Sequence, residues 1–231
     1  MASVNPPTRA ELRQDVLNIA DAYQSPRWDA TQGGEVDRRL GIVHMREWKR
    51  ILNANAYYQT QKYVVTTDAN GNIPLTALST VNGDSTQTLY RILVVAFNNI
   101  KYEEVLPKNY YLSTLAGLQD FVWFRDGANI VVPNSPTTTA SGIWVNWVPQ
   151  RFDQLAGDTS IVSLPPDYDD VFSYEGAAAL LTKGAAETDA AGELRAYADS
   201  LRQDLLQDIA RVGIEPLRVT YDDSPRDWGS Q

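Results

Sequence analysis

The spacing of apolar residues changes period twice along the chain. Leu12, Val16, Ile19, Ala20 and Tyr23 recur at helical spacing. Thr8-Arg9-Ala10-Glu11 stands ahead of them as a capping box, in which a hydroxyl and a carboxylate satisfy N–H groups that the first turn leaves free. Pro26 is expected to stop this helix. Beyond Gly33-Gly34 a second helix is predicted over residues 36–56. Val36, Leu40, Val43, Ile51 and Leu52 mark its apolar face, with Trp48 near the edge.

At Tyr57 the period shortens. Residues 57–67 are rich in Tyr, Thr and Val and predict a strand. Asp68-Ala69-Asn70-Gly71-Asn72 reads as a turn, because Asn-Gly accepts positive φ. A strand over 88–97 is apolar enough to be buried on both faces. Residues 102–118 are expected to be irregular, with one helical turn. Residues 121–125 and 129–132 predict a hairpin around Asp126-Gly127. In 142–148, Ile143, Val145 and Trp147 alternate with Trp144, Asn146 and Val148, the pattern of a half-buried strand.

Helical spacing returns after Leu164-Pro165-Pro166, where proline suits a first turn and Asp167, Asp169 and Asp170 complement the helix dipole. Val171, Tyr174, Ala178 and Leu181 form its stripe, and Gly184 is expected to end it. A last helix is predicted over 188–212, with Leu194, Tyr197, Leu201, Leu205, Ile209 and Val212 as a seam and Gly213 as its cap. Neither helical stripe can be buried alone, so the expected fold class is α+β: a helical bundle of N-terminal and C-terminal helices packed together, with a β-rich insertion in the middle. The expected organisation is 1–56 and 151–213 for the bundle, 57–150 for the insertion, and an extended tail over 214–231.

Charge sharpens this picture. Residues 1–55 hold 8 Lys/Arg and 7 Asp/Glu, residues 56–149 hold 5 and 6, and residues 150–231 hold 7 and 16. The last third therefore carries the net charge of −9, which disfavours sequence-independent DNA binding there. The chain has no cysteine, which removes disulfides and thiolate metal sites and fits a reducing cytoplasm. No basic start followed by an apolar stretch predicts a signal peptide, and no apolar run approaches the ~18 residues of a membrane span.

Candidate chemistry is sparse. No nucleophile elbow or P-loop is present, and Thr182-Lys183-Gly184 has the wrong order for one. His44, the only histidine, is expected at the polar surface or edge of its helix. Asp68-x-Asn70-Gly71-Asn72 glances at a calcium loop, but Ser79 stands where the bidentate glutamate belongs, so a turn is expected. Asp167, Asp169 and Asp170 are read as dipole complementation rather than a metal site. Trp123, Trp144 and Trp147 lie on strands, and an exposed one would offer a sugar-stacking or protein-contact surface. No catalytic, cofactor-binding or metal residue is singled out.

The order of pieces resembles the head-to-tail (portal) adaptor family of tailed bacteriophages. The pieces are a helix ending Trp48-Lys49-Arg50-Ile51-Leu52-Asn53-Ala54, the strand Ile73-Pro74-Leu75 after an Asn-Gly turn, and the hairpin segment Asp126-Gly127-Ala128-Asn129-Ile130-Val131-Val132-Pro133-Asn134-Ser135-Pro136. Trp144-Val145-Asn146-Trp147-Val148-Pro149 follows, then Leu164-Pro165-Pro166-Asp167-Tyr168, the Ala-rich Glu175-Gly176-Ala177-Ala178-Ala179 and a long last helix. The resemblance covers roughly 8–212. Trp147 stands where the family more often has tyrosine, and 102–118 has no counterpart.

The resemblance implies a homo-oligomeric ring, usually twelvefold, that binds the phage portal, extends the DNA channel and carries tail nozzle, fibre or other neck proteins. The location it implies is the virion neck, after synthesis in the host cytoplasm. Packaged double-stranded DNA passes through without specific binding, and no cofactor, catalysis or membrane is implied. On that basis the acidic Asp199, Asp204 and Asp208 of the last helix are expected to face the channel. Leu217, Val219, Tyr221 and Trp228 of the tail are expected to contact the portal. A tail-completion or fibre-attachment protein and a virion-associated cell-wall hydrolase are the alternatives.

Overall fold

The computed structural model describes residues 6–21, 33–58, 60–81, 88–97, 100–107, 121–133, 142–182 and 188–211. The fold is mixed α+β with a curled sheet. Helix α1 spans Arg9–Asp21, α2 Glu35–Ala54, α3 Leu75–Val81, α4 Asp169–Leu181 and α5 Asp189–Arg211. The strands are β1 Gln61–Tyr63, β2 Asn72–Pro74, β3 Thr88–Phe97, β4 Ile100–Glu104, β5 Val122–Asp126, β6 Asn129–Val131 and β7 Gly142–Val148.

The capping box at α1 forms as its sequence dictates. Thr8 N–H donates to the Glu11 carboxylate at 2.8 Å and Glu11 N–H donates to the Thr8 hydroxyl at 3.3 Å. Thr188 caps α5 the same way, accepting from Ala191 N–H at 3.2 Å. Helix α4 departs from expectation twice. The prolines sit in a turn before it rather than in its first turn, with Tyr168 as N-cap and Asp167 at φ 61°. It is also buried nearly all round instead of along one stripe: Val171, Phe172, Ser173, Glu175, Gly176, Ala177, Ala178, Leu180 and Leu181 are all covered. The reason is that α1, α2 and α5 all pack against it. It ends at Leu181 with Thr182 as C-cap, so the expected end at Gly184 lies outside the described residues, as do Pro26, Tyr23, Val212 and Gly213.

One core joins α1, α2, α4 and α5 through Leu12, Val16, Leu40, Val43, Phe172, Leu180 and Leu194. Each such side chain contributes roughly 1.5–3 kcal/mol on burial. Trp48, expected at an edge, is fully buried in an adjoining cluster with Ile51, Tyr168, Val171 and Ile209. The buried face of α5 is Ala191, Leu194, Ala198, Arg202 and Ile209, rotated from the expected seam so that Tyr197 is exposed.

The sheet has the order β1-β7-β3-β4-β5-β6-β2, antiparallel except for the parallel β4–β5 pair. Two register shifts of β3 against β7, between Leu89 and Arg91 and between Ile92 and Val94, insert Tyr90 and Leu93 as extra residues. Such bulges bend a strand and deepen its twist, which lets the sheet wrap one core. Tyr63 of edge strand β1 and Ile73 of edge strand β2 both belong to that core, with Val95, Phe97, Trp123, Ile130, Val145 and Trp147.

Three strand expectations are corrected. Only Gln61–Tyr63 of residues 57–67 forms a named strand, because 55–58 instead form a turn closing α2, with Tyr58 N–H bonded to Asn55 O at 3.1 Å. Residues 102–104 belong to β4 rather than to an irregular segment, since Tyr102 pairs with Val95. β7 is buried on both faces, not one, because Ile143, Val145 and Trp147 enter the sheet core while Val148 enters the helical cluster. Helix α3, whose Leu78 enters the sheet core, had no expectation attached to it.

The tightest helix crossing generates a paired prediction. A Cβ at Gly176 of α4 would meet Leu40 Cδ2 at 2.8 Å and Val16 Cγ2 at 2.9 Å, whereas one at Gly192 of α5 would meet nothing. Gly176→Ala should lose about 1–3 kcal/mol through overpacking, and Gly192→Ala should gain roughly 0.5–1 kcal/mol from helix propensity. Urea titration of the two variants beside the parent checks both signs.

Candidate functional site

The chemistry-bearing side chains that the fold gathers form two ion networks around buried carboxylates: one joins helices far apart in sequence, the other ties the first two helices to the segment after β7. In the first, Glu47 of α2 is fully buried and accepts from Arg202 Nε of α5 at 2.9 Å, from Tyr168 Oη at 2.8 Å and from Arg50 at 2.6 Å. Arg202 also reaches Glu175 of α4 at 3.3 Å and pairs with Asp199, while Arg46 meets Glu175 at 3.2 Å. Three guanidinium groups thus face three carboxylates, so the network is neutral as a whole. Burial and the Glu47 charge push the Tyr168 hydroxyl far above its ordinary range.

In the second network, Asp37 at the start of α2 is fully buried and accepts from Arg9 at 2.6 Å, Arg13 Nε at 2.8 Å and Gly33 N–H at 2.6 Å. Arg13 continues to Asp158 at 2.6 Å, and Arg9 donates to Leu155 O at 2.8 Å. The Asp158 carboxyl is held below its usual range by Arg13. These bonds fasten the segment between β7 and α4 across α1. Backbone bonds from Arg9 N–H to Ser160 O and from Val162 N–H to Pro7 O reinforce it.

His44 is not at the surface. It is fully buried under the same segment, edge-on to Phe172 at 6.0 Å, and it and Trp48 Nε1 both bond Ser163 O at 2.9 Å. A carbonyl accepts only, so Nε2 carries the proton, and among the described residues the buried Nδ1 has no partner. Burial pushes its pKa down.

The other sequence candidates scatter. Asp199, Asp204 and Asp208 are all exposed on α5, but at ~100° per residue Asp199 and Asp208 point about 180° apart, so the three do not share one face. Asp199 is engaged by Arg202, and Asp208 lies 3.7 Å from Arg211. Leu217, Val219, Tyr221 and Trp228 lie outside the described residues. Asp169 and Asp170 occupy the first turn of α4, where burial and mutual repulsion raise the Asp170 pKa. The Asp68 carboxylate accepts from the N–H groups of Asn70 and Asn72 at 2.8 Å, and Gly71 has φ 79°, the geometry of a turn. Among the described residues no cluster of three or more His, Cys, Asp or Glu is arranged to hold a metal, and no described helix is long and apolar enough to cross a membrane.

Trp123 and Trp147 are buried, and Lys62 Nζ sits 5.0 Å over the Trp144 ring, so none of these three offers a bare stacking face. Where β3 and β4 part, two shallow clefts of ≈ 400 and ≈ 150 Å³ share Glu104 and Trp123 as walls. Arg202 and Glu47 were missed by sequence reasoning. The available signal was phase, since Arg202 falls on the buried side of α5 with Leu194, Ala198 and Ile209. No family model and no curated protein matches the chain.

Arg202→Ala leaves Glu47 and Glu175 short of a buried partner and should cost about 3–5 kcal/mol. Arg211→Ala, at an open 3.7 Å pair, should change stability by less than ~0.5 kcal/mol in the same denaturation assay. For His44 the folded pKa lies below the unfolded one, so the unfolded chain takes up the proton first as pH falls. Its contribution is full above about pH 6.5 and declines below it by at most about 1.4 kcal/mol per pH unit. His44→Gln, which keeps a donor for Ser163 O, should flatten this part of the stability profile, and an equally steep profile would contradict the assignment.

Proposed function

We propose that the chain is a structural neck protein of a tailed bacteriophage, a ring-forming adaptor between portal and tail. The observation that carries this reading is the joining of helices from both ends of the chain. Glu47 and Arg202, 155 residues apart, are in direct contact, and all the described strands lie between them in sequence. That contact supports reading the fold as a helical bundle of N-terminal and C-terminal parts with a β-rich insertion over 57–150.

The order of elements lends support to the reading. Two helices, the strand at Ile73, the hairpin at Asp126-Gly127, the strand ending at Val148, the Ala-rich helix and the long last helix follow in turn. On this reading the sheet projects from the helical ring toward nozzle, fibre or other neck proteins. The acidic excess after residue 150 suits a channel that double-stranded DNA crosses without being held, since acidic walls repel phosphates. No cofactor or catalysis is part of the reading.

Electron microscopy of the purified chain mixed with its cognate portal tests this directly. A ring stacked on the tail-facing end of the portal is expected, and its rotational symmetry follows from the images. An undecorated portal beside monomeric chain would overturn the reading.

A further inference from the structure

The exposed faces of α2 and α5 carry opposite net charge, each around one exposed apolar residue; the minority charges are Glu35 on α2, paired with Arg39, and Arg211 on α5, 3.7 Å from Asp208. On α2, Arg38, Ile42, Arg46 and Lys49 share the solvent side, and Ile42 is 54% exposed. Helical geometry puts these four within about 80° of one another. Arg46 leans on Glu175, while Arg38 and Lys49 meet no carboxylate among the described residues. On α5, Glu193, Tyr197 and Asp204 fall within about 40°, and Tyr197 is 50% exposed, one side of its ring set edge-on against Tyr174 at 4.6 Å. Glu193 and Asp204 likewise have no basic partner among the described residues.

Both helices bury another face against α4 and also touch each other, and the two stripes lie outside those contacts on the solvent side. The geometry points to a contact between copies of this chain: the α2 stripe of one copy seats on the α5 stripe of the next, Ile42 against Tyr197, with Arg38 and Lys49 opposite Glu193 and Asp204. Because the two surfaces differ, each copy offers one and receives the other. This is a heterologous contact, the kind that generates a ring when the rotation closes. Apolar anchors inside complementary charge also follow the anatomy of specific interfaces. The inference rests on the ring reading above and names the surface that would build it. It moves Asp204 from the channel wall into the subunit contact.

The chain has no cysteine of its own, so introduced ones report alone. Ile42→Cys and Tyr197→Cys placed together in one chain should give, on oxidation in the presence of portal, a ladder of covalent multimers on a non-reducing gel. Either substitution alone should give none, because in a heterologous contact neither residue meets its own copy. Reversal of Arg38 and Lys49 to Glu should cut the ladder at least tenfold, and adding Glu193→Lys and Asp204→Lys to that chain should restore it.

Rings seen by microscopy without the ladder, or a ladder indifferent to the charge reversals, would overturn this contact and leave the ring reading standing. Dimers from a single cysteine would also overturn it, since they require a two-fold contact. Monomers throughout, with portal present, would overturn both.

Discussion

A carboxylate with no exposure to water constrains much of this structure. Glu47 lies inside the helical body, where an ionised group is tolerated only if charged donors surround it. Its donors come from its own helix, from the turn at Tyr168 and from Arg202 on the last helix. These distances can be met together only when α2, α4 and α5 hold one mutual register. An apolar set of the same volume can be equally stable, so the gain from such a network lies in register rather than in raw stability. Asp37 does the same at the other end of α2, holding Arg9 and Arg13 of α1 and, through Arg13, Asp158.

The sheet is tied to this body at one corner. Asn55 closes α2 and its side-chain amide donates to Ile209 O at 2.8 Å, so the ends of α2 and α5 are pinned together where the chain turns toward β1. Asn146 of β7 donates to Tyr58 O at 3.3 Å, and Val148 enters the cluster around Trp48. β7 is therefore shared between layers, and its second buried face follows from that position rather than from its sequence alternation. The segment from Arg151 to Tyr168 then runs back across α1 and α2, held by Arg9, Arg13, His44 and Trp48.

What could be read beforehand was local. The capping box, the bounds of β3 and β7, the Asp126-Gly127 hairpin and the extent of α5 each depend on short-range pattern and came through to within a residue or two. What failed was tertiary. Nothing in the residues near His44 or Trp48 says that a segment more than a hundred positions later will cover them. Val171 to Leu181 read as a stripe because periodicity reports one buried side, and a helix surrounded by three others has none to single out. Arg202 was passed over because arginine counts as polar in any apolar seam, although its phase was that of the buried face. The three acids of α5 were grouped by type, and helical angle separates Asp199 from Asp208.

That separation bears on where functional charge can reside. The inner networks are neutral within themselves and contribute little to the field outside, so what remains is carried by residues left over on outer faces. On α2 and α5 the ones outside any ion pair sort by helix: Arg38 and Lys49 stand on α2, and Glu193 and Asp204 on α5. A chain that needed charge only to stay dispersed would be served as well by mixing both signs on every face. Segregation gives the outer faces of the two helices complementary net charge, a match that a second copy would satisfy. The buried ion pairs that fix the register of α2 against α5 also fix the angle between the two outer faces. In a closed assembly that angle sets the turn from one copy to the next, so the interior charges that specify the fold would in that case also specify the number of copies in the ring.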